Sequence, residues 1–295
     1  MKVLVLGSKG QLGQCLCDQL SHSDHEVLYA SRLQVDITNF ETTKENLLDI
    51  HPDLVINASA YTAVDEAEEE YQTAELVNHF AVSNIANICA QLDCWLIHIS
   101  TDYVFDGNSN MPYDENDKTN PQGVYGITKL KGENAIQFSG CRYIIIRTAW
   151  VYSEYGNNFL KTMLRLGTEL DELSVVGDQK GCPTYAQNLA SAIVVILKRL
   201  NVSKDIVGIY HYVGEVSCSW ADFAEDIFQE AMKLGIIKNK PKVNKISTLE
   251  YPTPAKRPMQ SQLDFSKFKN TFGITQLNYS DSIHSALEGY SKLKQ

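Results

Sequence analysis

The sequence predicts an α/β fold, a doubly wound parallel sheet with a smaller C-terminal lobe, and three observations carry that expectation. Val3-Leu4-Val5-Leu6 is an unbroken apolar run of the kind that fills a strand buried on both faces. A glycine-rich loop, Gly7-Ser8-Lys9-Gly10-Gln11-Leu12-Gly13, follows at once and opens a helix that runs to about Leu20. Strand-like runs then alternate with helical patterns as far as Trp150, the rhythm of a parallel sheet covered on both sides.

Taken in order, Glu26–Ala30 is the second strand and completes a strand–loop–helix–strand unit. Asp53–Asn57 is the third strand and ends at Ala58-Ser59-Ala60. The acidic run Glu66–Glu70 reads as a solvated helix face. Ala74–Gln91 is a helix, and Trp95–Ile99 a fourth strand that closes on Ser100-Thr101-Asp102. A helix begins near Tyr125, after Asn120-Pro121-Gln122-Gly123, and Tyr143–Ile146 is another strand.

Beyond Trp150 the rhythm changes. Asn158–Leu166 and Ala186–Leu200 are helical, Ile209–Val213 is a short strand, and Trp220–Leu234 is an amphipathic helix. Tyr251-Pro252-Thr253-Pro254-Ala255-Lys256-Arg257-Pro258 is too proline-rich for helix or central strand. A last helix starts near Ser280-Asp281 and runs towards Lys292. The expected division is a Rossmann-type nucleotide-binding domain at 1–150, with 178–212 packing against it, and 151–295 as largely a substrate-binding lobe.

Composition narrows the classes. The chain has 295 residues and a net charge of −10, which argues against a protein that binds a phosphate backbone through a basic face. Seven cysteines are scattered without a Cys-x-x-Cys pair, as expected for reduced thiols in the cytoplasm and not for a zinc site. The N-terminal apolar run is too short for a signal peptide, and no run is long enough to span a bilayer.

The candidate chemistry starts at the glycine loop. Gly7, Gly10 and Gly13 permit a tight turn and close approach of a pyrophosphate, with helix amides behind them. The second strand ends Tyr29-Ala30-Ser31-Arg32, with no acid to hold ribose hydroxyls. Ser31 and Arg32 instead suit a 2′-phosphate, which favours NADPH over NADH. Asp36 and Ile37 lie where side chains reach an adenine, although Asp36 reads equally well as a turn residue. Ser100-Thr101-Asp102 stands at a strand's carboxyl end, where ligands collect in open sheets. Tyr125 and Lys129 are four residues apart on one helix face. A phenol beside an ammonium is a tuned proton donor, useful to an enzyme that reduces a ketone. Arg257, in its proline-bracketed segment, suits either a ligand diphosphate or a salt bridge between lobes.

Several motifs together resemble a known family. Gly-x-x-Gly-x-x-Gly, Ser100-Thr101-Asp102-Tyr103-Val104-Phe105-Asp106-Gly107 and Tyr125-Gly-x-Thr-Lys129-x-x-Gly132-Glu133 look like an extended short-chain dehydrogenase/reductase. Asn57–Asp65, Arg147–Tyr152, Asp178-Gln179-x-Gly181-x-Pro183-Thr184 and the Tyr251–Pro258 run with Ser261, Leu263 and Asp264 narrow this to the dTDP-4-dehydrorhamnose reductases. The resemblance implies NADPH, with NADH as second choice, lying along Gly10, Gln11 and Leu12. It puts Asp36 and Ile37 at the adenine, and Ala60, Tyr61 and Thr62 along the cofactor. It implies reduction of the C4 ketone of dTDP-4-dehydro-L-rhamnose, the last step to dTDP-L-rhamnose. Tyr125 would give the proton, Lys129 would bond the nicotinamide ribose and lower the tyrosine pKa, and Thr101 would polarise the carbonyl. Asp102, Tyr103 and Trp150 fall on the substrate side, with Arg257.

Some members of this family dimerise around Mg²⁺ held by glutamates. The matching positions here are Cys15 and Gln187, neither a hard anionic ligand, so no metal is assigned. The expected protein is a cytoplasmic monomer or homodimer that acts on a dTDP-sugar, without nucleic acid or membrane. Two other readings stay open: a related nucleotide-sugar epimerase or epimerase-reductase, and a non-catalytic NADP-binding subunit resembling the β subunit of methionine adenosyltransferase.

Overall fold

The computed structural model describes residues 1–200 and 205–294. Five apolar runs form the strands β1 (Lys2–Leu6), β2 (Glu26–Ala30), β3 (Leu54–Asn57), β4 (Trp95–Thr101) and β5 (Arg142–Thr148). Between them lie α1 (Gln11–Leu20), α2 (Phe40–Ile50), an interrupted helix α3, and α4 (Val124–Phe138). Helix α3 comprises Tyr71–Glu75, a π-helical turn at Leu76–Phe80, and Ala81–Leu92. Later in the chain come α5 (Phe159–Glu169), β6 (Glu172–Val176), α6 (Ala186–Leu200), β7 (Gly208–His211), α7 (Trp220–Lys233), β8 (Lys242–Ile246), α8 (Ser266–Phe272) and α9 (Tyr279–Leu293).

The central sheet has six strands in the order β7-β5-β4-β3-β1-β2, all parallel. Parallel strands need helical crossovers, and these cover both faces. One face packs against α1, α6 and α8 through Leu16, Ile193 and Phe268. The other packs against α2 and α3 through Leu47, Ile85 and Cys89. Leu54, Val55 and Ile56 are all buried, and that explains why β3 is apolar on both faces instead of alternating. Burying each such side chain contributes roughly 1.5–3 kcal/mol.

Residues after Trp150 divide between two cores. Helix α6 packs on α1, and β7 extends the sheet beside β5. A separate core gathers Leu160, Phe223, Phe228 and Leu287 from α5, α7 and α9, and β6 pairs in parallel with β8 at its side. The helix α2, the strands β6 and β8 and the helix α8 were not expected from the sequence. Phe40–Ile50 interleaves its few apolar residues with charged ones, and its start is fixed by an Asn39 side chain that accepts from Thr42 N–H. The expected helix over 74–91 begins earlier and is broken by the π turn.

The acidic run Glu66–Glu70 is not simply a solvated face. Glu68 Oε1 accepts the Val124 N–H at 2.9 Å, so a carboxylate from one segment caps the first turn of α4 in another. Glu70 accepts from the Tyr61 hydroxyl at 3.0 Å. No helix among the described residues is long and apolar enough to cross a membrane.

Candidate functional site

A cleft of about 630 Å³ opens at the carboxyl ends of the strands, between the sheet and the second core. Thr101, Tyr125 and Lys129 share its wall. Strand β4 delivers Thr101 as its last residue, and α4 places Tyr125 in its first turn and Lys129 one turn on. The helix sits hard against the strand end, because a Cβ on Gly126 would lie 2.2 Å from the Tyr103 carbonyl oxygen. The Tyr103 ring meets the Tyr125 ring edge-on at 5.4 Å and holds it from the side.

The polar network under this wall is almost entirely buried. Lys129 is 1% exposed, and its Nζ donates to the Ile99 carbonyl at 2.7 Å and lies 3.2 Å from His98 Nε2. Burial pushes the Lys129 amine down to about 8, with Glu133 opposing. Burial pushes the Tyr125 phenol up to about 12; Thr101 pulls it back and Asp102 adds to the rise. The expected depression of the phenol by Lys129 is therefore not the state of the free protein. The Lys129 Nζ is turned towards β4, and burial governs the phenol.

The glycine loop forms the opposite side. Gly7 has φ +78°, and a Cβ there would meet Ser59 N and Oγ at 2.8 Å. A Cβ on Gly13 would lie 2.2 Å from the Gly7 carbonyl oxygen. Gly10 caps α1, and a Cβ there would meet only the Gly7 carbonyl oxygen, at 3.3 Å, so its far side is open. Gly10, Gln11 and Leu12 line the cleft, with the first amides of α1 lacking helical partners there. This is a cradle that a dinucleotide pyrophosphate fits. At the end of β3, Ala60 and Thr62 also line the cleft.

Other expected residues sit elsewhere. Tyr61 is not a cleft residue: its hydroxyl turns out to Glu70, and its backbone is gripped by Asn78. Ile37 is 5% exposed in the core beneath α2, so it presents no free side chain to an adenine. Ser31 donates to Gln34. Arg32 is 83% exposed and 3.7 Å from Asp36, a carboxylate already taken by Thr38 N and Oγ1. Asp36 is thus a turn residue, and the Arg32 guanidinium stays accessible.

Towards the second core the cleft is lined by Asp102, Tyr103, Trp150 and Arg257. Asp102 is 2% exposed, and burial raises its carboxyl to about 6. Among the described residues its Oδ2 and the buried Thr148 Oγ1 have no hydrogen-bond partner. Arg257 bonds Asp65 at 2.6 Å, which bears out the salt-bridge reading, and it also faces the cleft. Trp150, with φ +49°, stacks on Trp220 at 3.4 Å.

Sequence reasoning missed Trp220, Asn158, Asn78 and Glu68. Asn158 accepts from Lys161 N–H at the start of α5 and donates to Gln11 Oε1 at 2.8 Å, tying the cleft floor to the glycine loop. Asn78 sits buried in the π turn, bonds both backbone groups of Tyr61 and reaches Thr128 of α4. An asparagine on an otherwise apolar helix face was the available signal. Cys15 is buried, and Gln187 bridges Gln19 and Asp18.

The family model described as the RmlD substrate binding domain matches residues 1–292. The chain belongs to the dTDP-4-dehydrorhamnose reductase family. It is 42% identical over 277 residues to the dTDP-4-dehydrorhamnose reductase of Escherichia coli K12, covering 93% of each. A crystal structure of the enzyme from Clostridium acetobutylicum is similar over 100% of both chains, with TM-score 0.91 and 38% identity. The reductase from Bacillus anthracis in complex with NADP covers 97% of this chain and 98% of its own, with TM-score 0.89 and 34% identity.

Proposed function

We propose that this protein reduces the C4 ketone of dTDP-4-dehydro-L-rhamnose to dTDP-L-rhamnose with NADPH, NADH serving as second choice. The observation that carries the reading is the meeting of Thr101, Tyr125 and Lys129 on one wall of a cleft whose other wall is the glycine loop. Family membership narrows the substrate, since relatives of that name match nearly the whole chain.

Gly10, Gln11 and Leu12 would hold the pyrophosphate, and Arg32 and Ser31 the 2′-phosphate. Bound there, the dinucleotide supplies a hydride. Tyr125 donates its proton to the C4 oxygen as negative charge builds on that atom, stabilising the transition state more than the ketone. Thr101 orients the same oxygen. Lys129 would contact the nicotinamide ribose, and a charged amine beside the phenol would ease proton release. Asp102, Thr148 and Trp150 contact the sugar, and Arg257 the diphosphate. The sheet with α6, β7 and α8 makes the cofactor domain, and most other residues after Trp150 form the substrate lobe. The protein works in the cytoplasm as a monomer or homodimer.

The test is consumption of NADPH with dTDP-4-dehydro-L-rhamnose, followed by absorbance and by product analysis. Bound NADPH without turnover would replace this reading with the regulatory-subunit one. Tyr125→Phe should lower kcat by ~10²–10⁴ while the fold stays intact. Near-normal turnover of that variant would remove Tyr125 from the mechanism.

A further inference from the structure

Lys129 is served by a hydrogen-bond chain that starts just after β3, against the glycine loop. Ser59 N–H donates to Asn57 Oδ1 at 3.0 Å. That bond orients the amide, so Asn57 Nδ2 faces His98 Nδ1 at 3.2 Å. His98 Nε2 then faces Lys129 Nζ at 3.2 Å, and Nζ donates to the Ile99 carbonyl. Asn57 is 1% exposed, His98 0% and Lys129 1%, so bulk water cannot repair a mismatch.

The donors and acceptors of this chain can be counted. Asn57 Nδ2 is a donor, so His98 Nδ1 must accept. A neutral imidazole that accepts at Nδ1 carries its proton on Nε2. Nε2–H points at Lys129, so the lysine must offer a lone pair, and only the neutral amine has one. An ammonium at Lys129 reverses every assignment. Nε2 then accepts, Nδ1 carries the proton, the Asn57 amide turns its oxygen to His98, and the Ser59 N–H loses its acceptor.

We propose that His98 is a positioning residue for Lys129, and that Ser59–Asn57–His98–Lys129 is a hydrogen-bond switch with two settings, one for neutral lysine and one for charged lysine. The Ser59–Asn57 bond is that of the neutral setting. Burial brings it within reach, holding His98 well below the usual imidazole range and lowering Lys129 to about 8. The other charged and titratable groups around Lys129 are Glu133, one turn along α4 and itself paired with Arg147 of β5, and Tyr125 and Asp102 on the cleft side. Ser59 lines the cleft beside Gly7. An acceptor on a bound ligand that takes the Ser59 N–H releases Asn57 and draws the chain to the charged setting. That is the setting in which Lys129 lowers the neighbouring phenol. The catalytic meaning of the switch rests on the reductase reading; its two settings do not.

The experiment is an NMR titration of the isotope-labelled full-length protein without cofactor. The His98 ring nitrogens, the Lys129 Cε and the Ser59 amide are followed together. His98 should carry its proton on Nε2 above the Lys129 midpoint, near pH 8, and on Nδ1 below it. The Ser59 amide should shift with the same midpoint. One unchanging tautomer through the lysine titration, or a lysine that stays charged throughout, would overturn the proposal.

In Asn57→Asp the carboxylate has no donor for Nδ1, so His98 should hold Nδ1–H at every pH and the Lys129 midpoint should rise by about one unit. An Nε2–H tautomer in that folded variant would count equally against the switch. The pH profile of kcat gives the functional arm. His98→Gln, whose amide can turn either way, should keep the profile, and His98→Phe should move its Lys129-dependent limb. Turnover without the tautomer change sinks the switch alone, whereas the tautomer change without turnover sinks only the reductase reading.

Discussion

Two arginine–carboxylate pairs flank the cleft in opposite surroundings. Beneath α4, Arg147 and Glu133 are 2% and 0% exposed. Glu133 receives Arg147 Nε and Nη2 and also the Ser100 hydroxyl, while the guanidinium lies over the Phe105 ring at 5.1 Å. At the rim, the Arg257 and Asp65 side chains are 28% and 32% exposed, and among the described residues Arg257 Nε is buried without a partner. The first pair uses its bonding capacity inside the protein. The second keeps a donor in reserve beside the cleft. Saturation therefore separates a pair spent wholly on the fold from one that leaves a donor open at the cleft.

The sharpest way to break this contrast is to unbalance the buried pair. Glu133→Gln leaves an uncompensated guanidinium in the core and should cost ~3–5 kcal/mol in a denaturant titration. A loss under about 1 kcal/mol would mean that the pair is not the anchor its burial implies.

Asp102 belongs with the unsaturated group. Its folded carboxyl is raised from 3.8 to about 6, so the folded state binds that proton more tightly than the unfolded chain. Stability should fall as pH rises from about 4 to 6, with the full cost present above pH 6. Asp102→Asn should therefore stabilise by about 3 kcal/mol at pH 8 and by almost nothing near pH 3, read from thermal unfolding.

Arg257→Met tests the reserve donor. It should raise the KM for the dTDP-sugar ~10–100-fold with the melting temperature little changed, as loss of a charged hydrogen bond does. A melting temperature that falls while KM holds would assign Arg257 to the fold. Arg32→Ala should be mildest. Its pair with Asp36 is exposed, so stability should move by less than ~1 kcal/mol, and only the preference for NADPH over NADH should shrink.

The sequence reveals what is local. Unbroken apolar runs expose the strands, and the four-residue spacing of Tyr125 and Lys129 survives into α4 unchanged. Chemistry that depends on distant partners stays hidden. Asp65 meets Arg257 across 192 positions, and Glu68 reaches Val124 across 56. His98 reads as one more residue of a buried strand until Asn57 and Lys129 fold onto its two nitrogens. The Ile37 and Tyr61 side chains turn away from the cleft for a related reason. Strand-end position says how near a residue lies to the cleft, but packing and one hydrogen bond decide where its side chain goes.

The Trp150–Trp220 stack gives the protein an optical gauge. Two of its three tryptophans are in face contact within the cleft. The third, Trp95, is buried in β4 with the Arg142 guanidinium over its ring. A ligand that slides against the stacked pair, or a movement that parts it, alters two fluorophores together and leaves Trp95 as an internal reference. Intrinsic emission can thus follow occupancy of the cleft without a label.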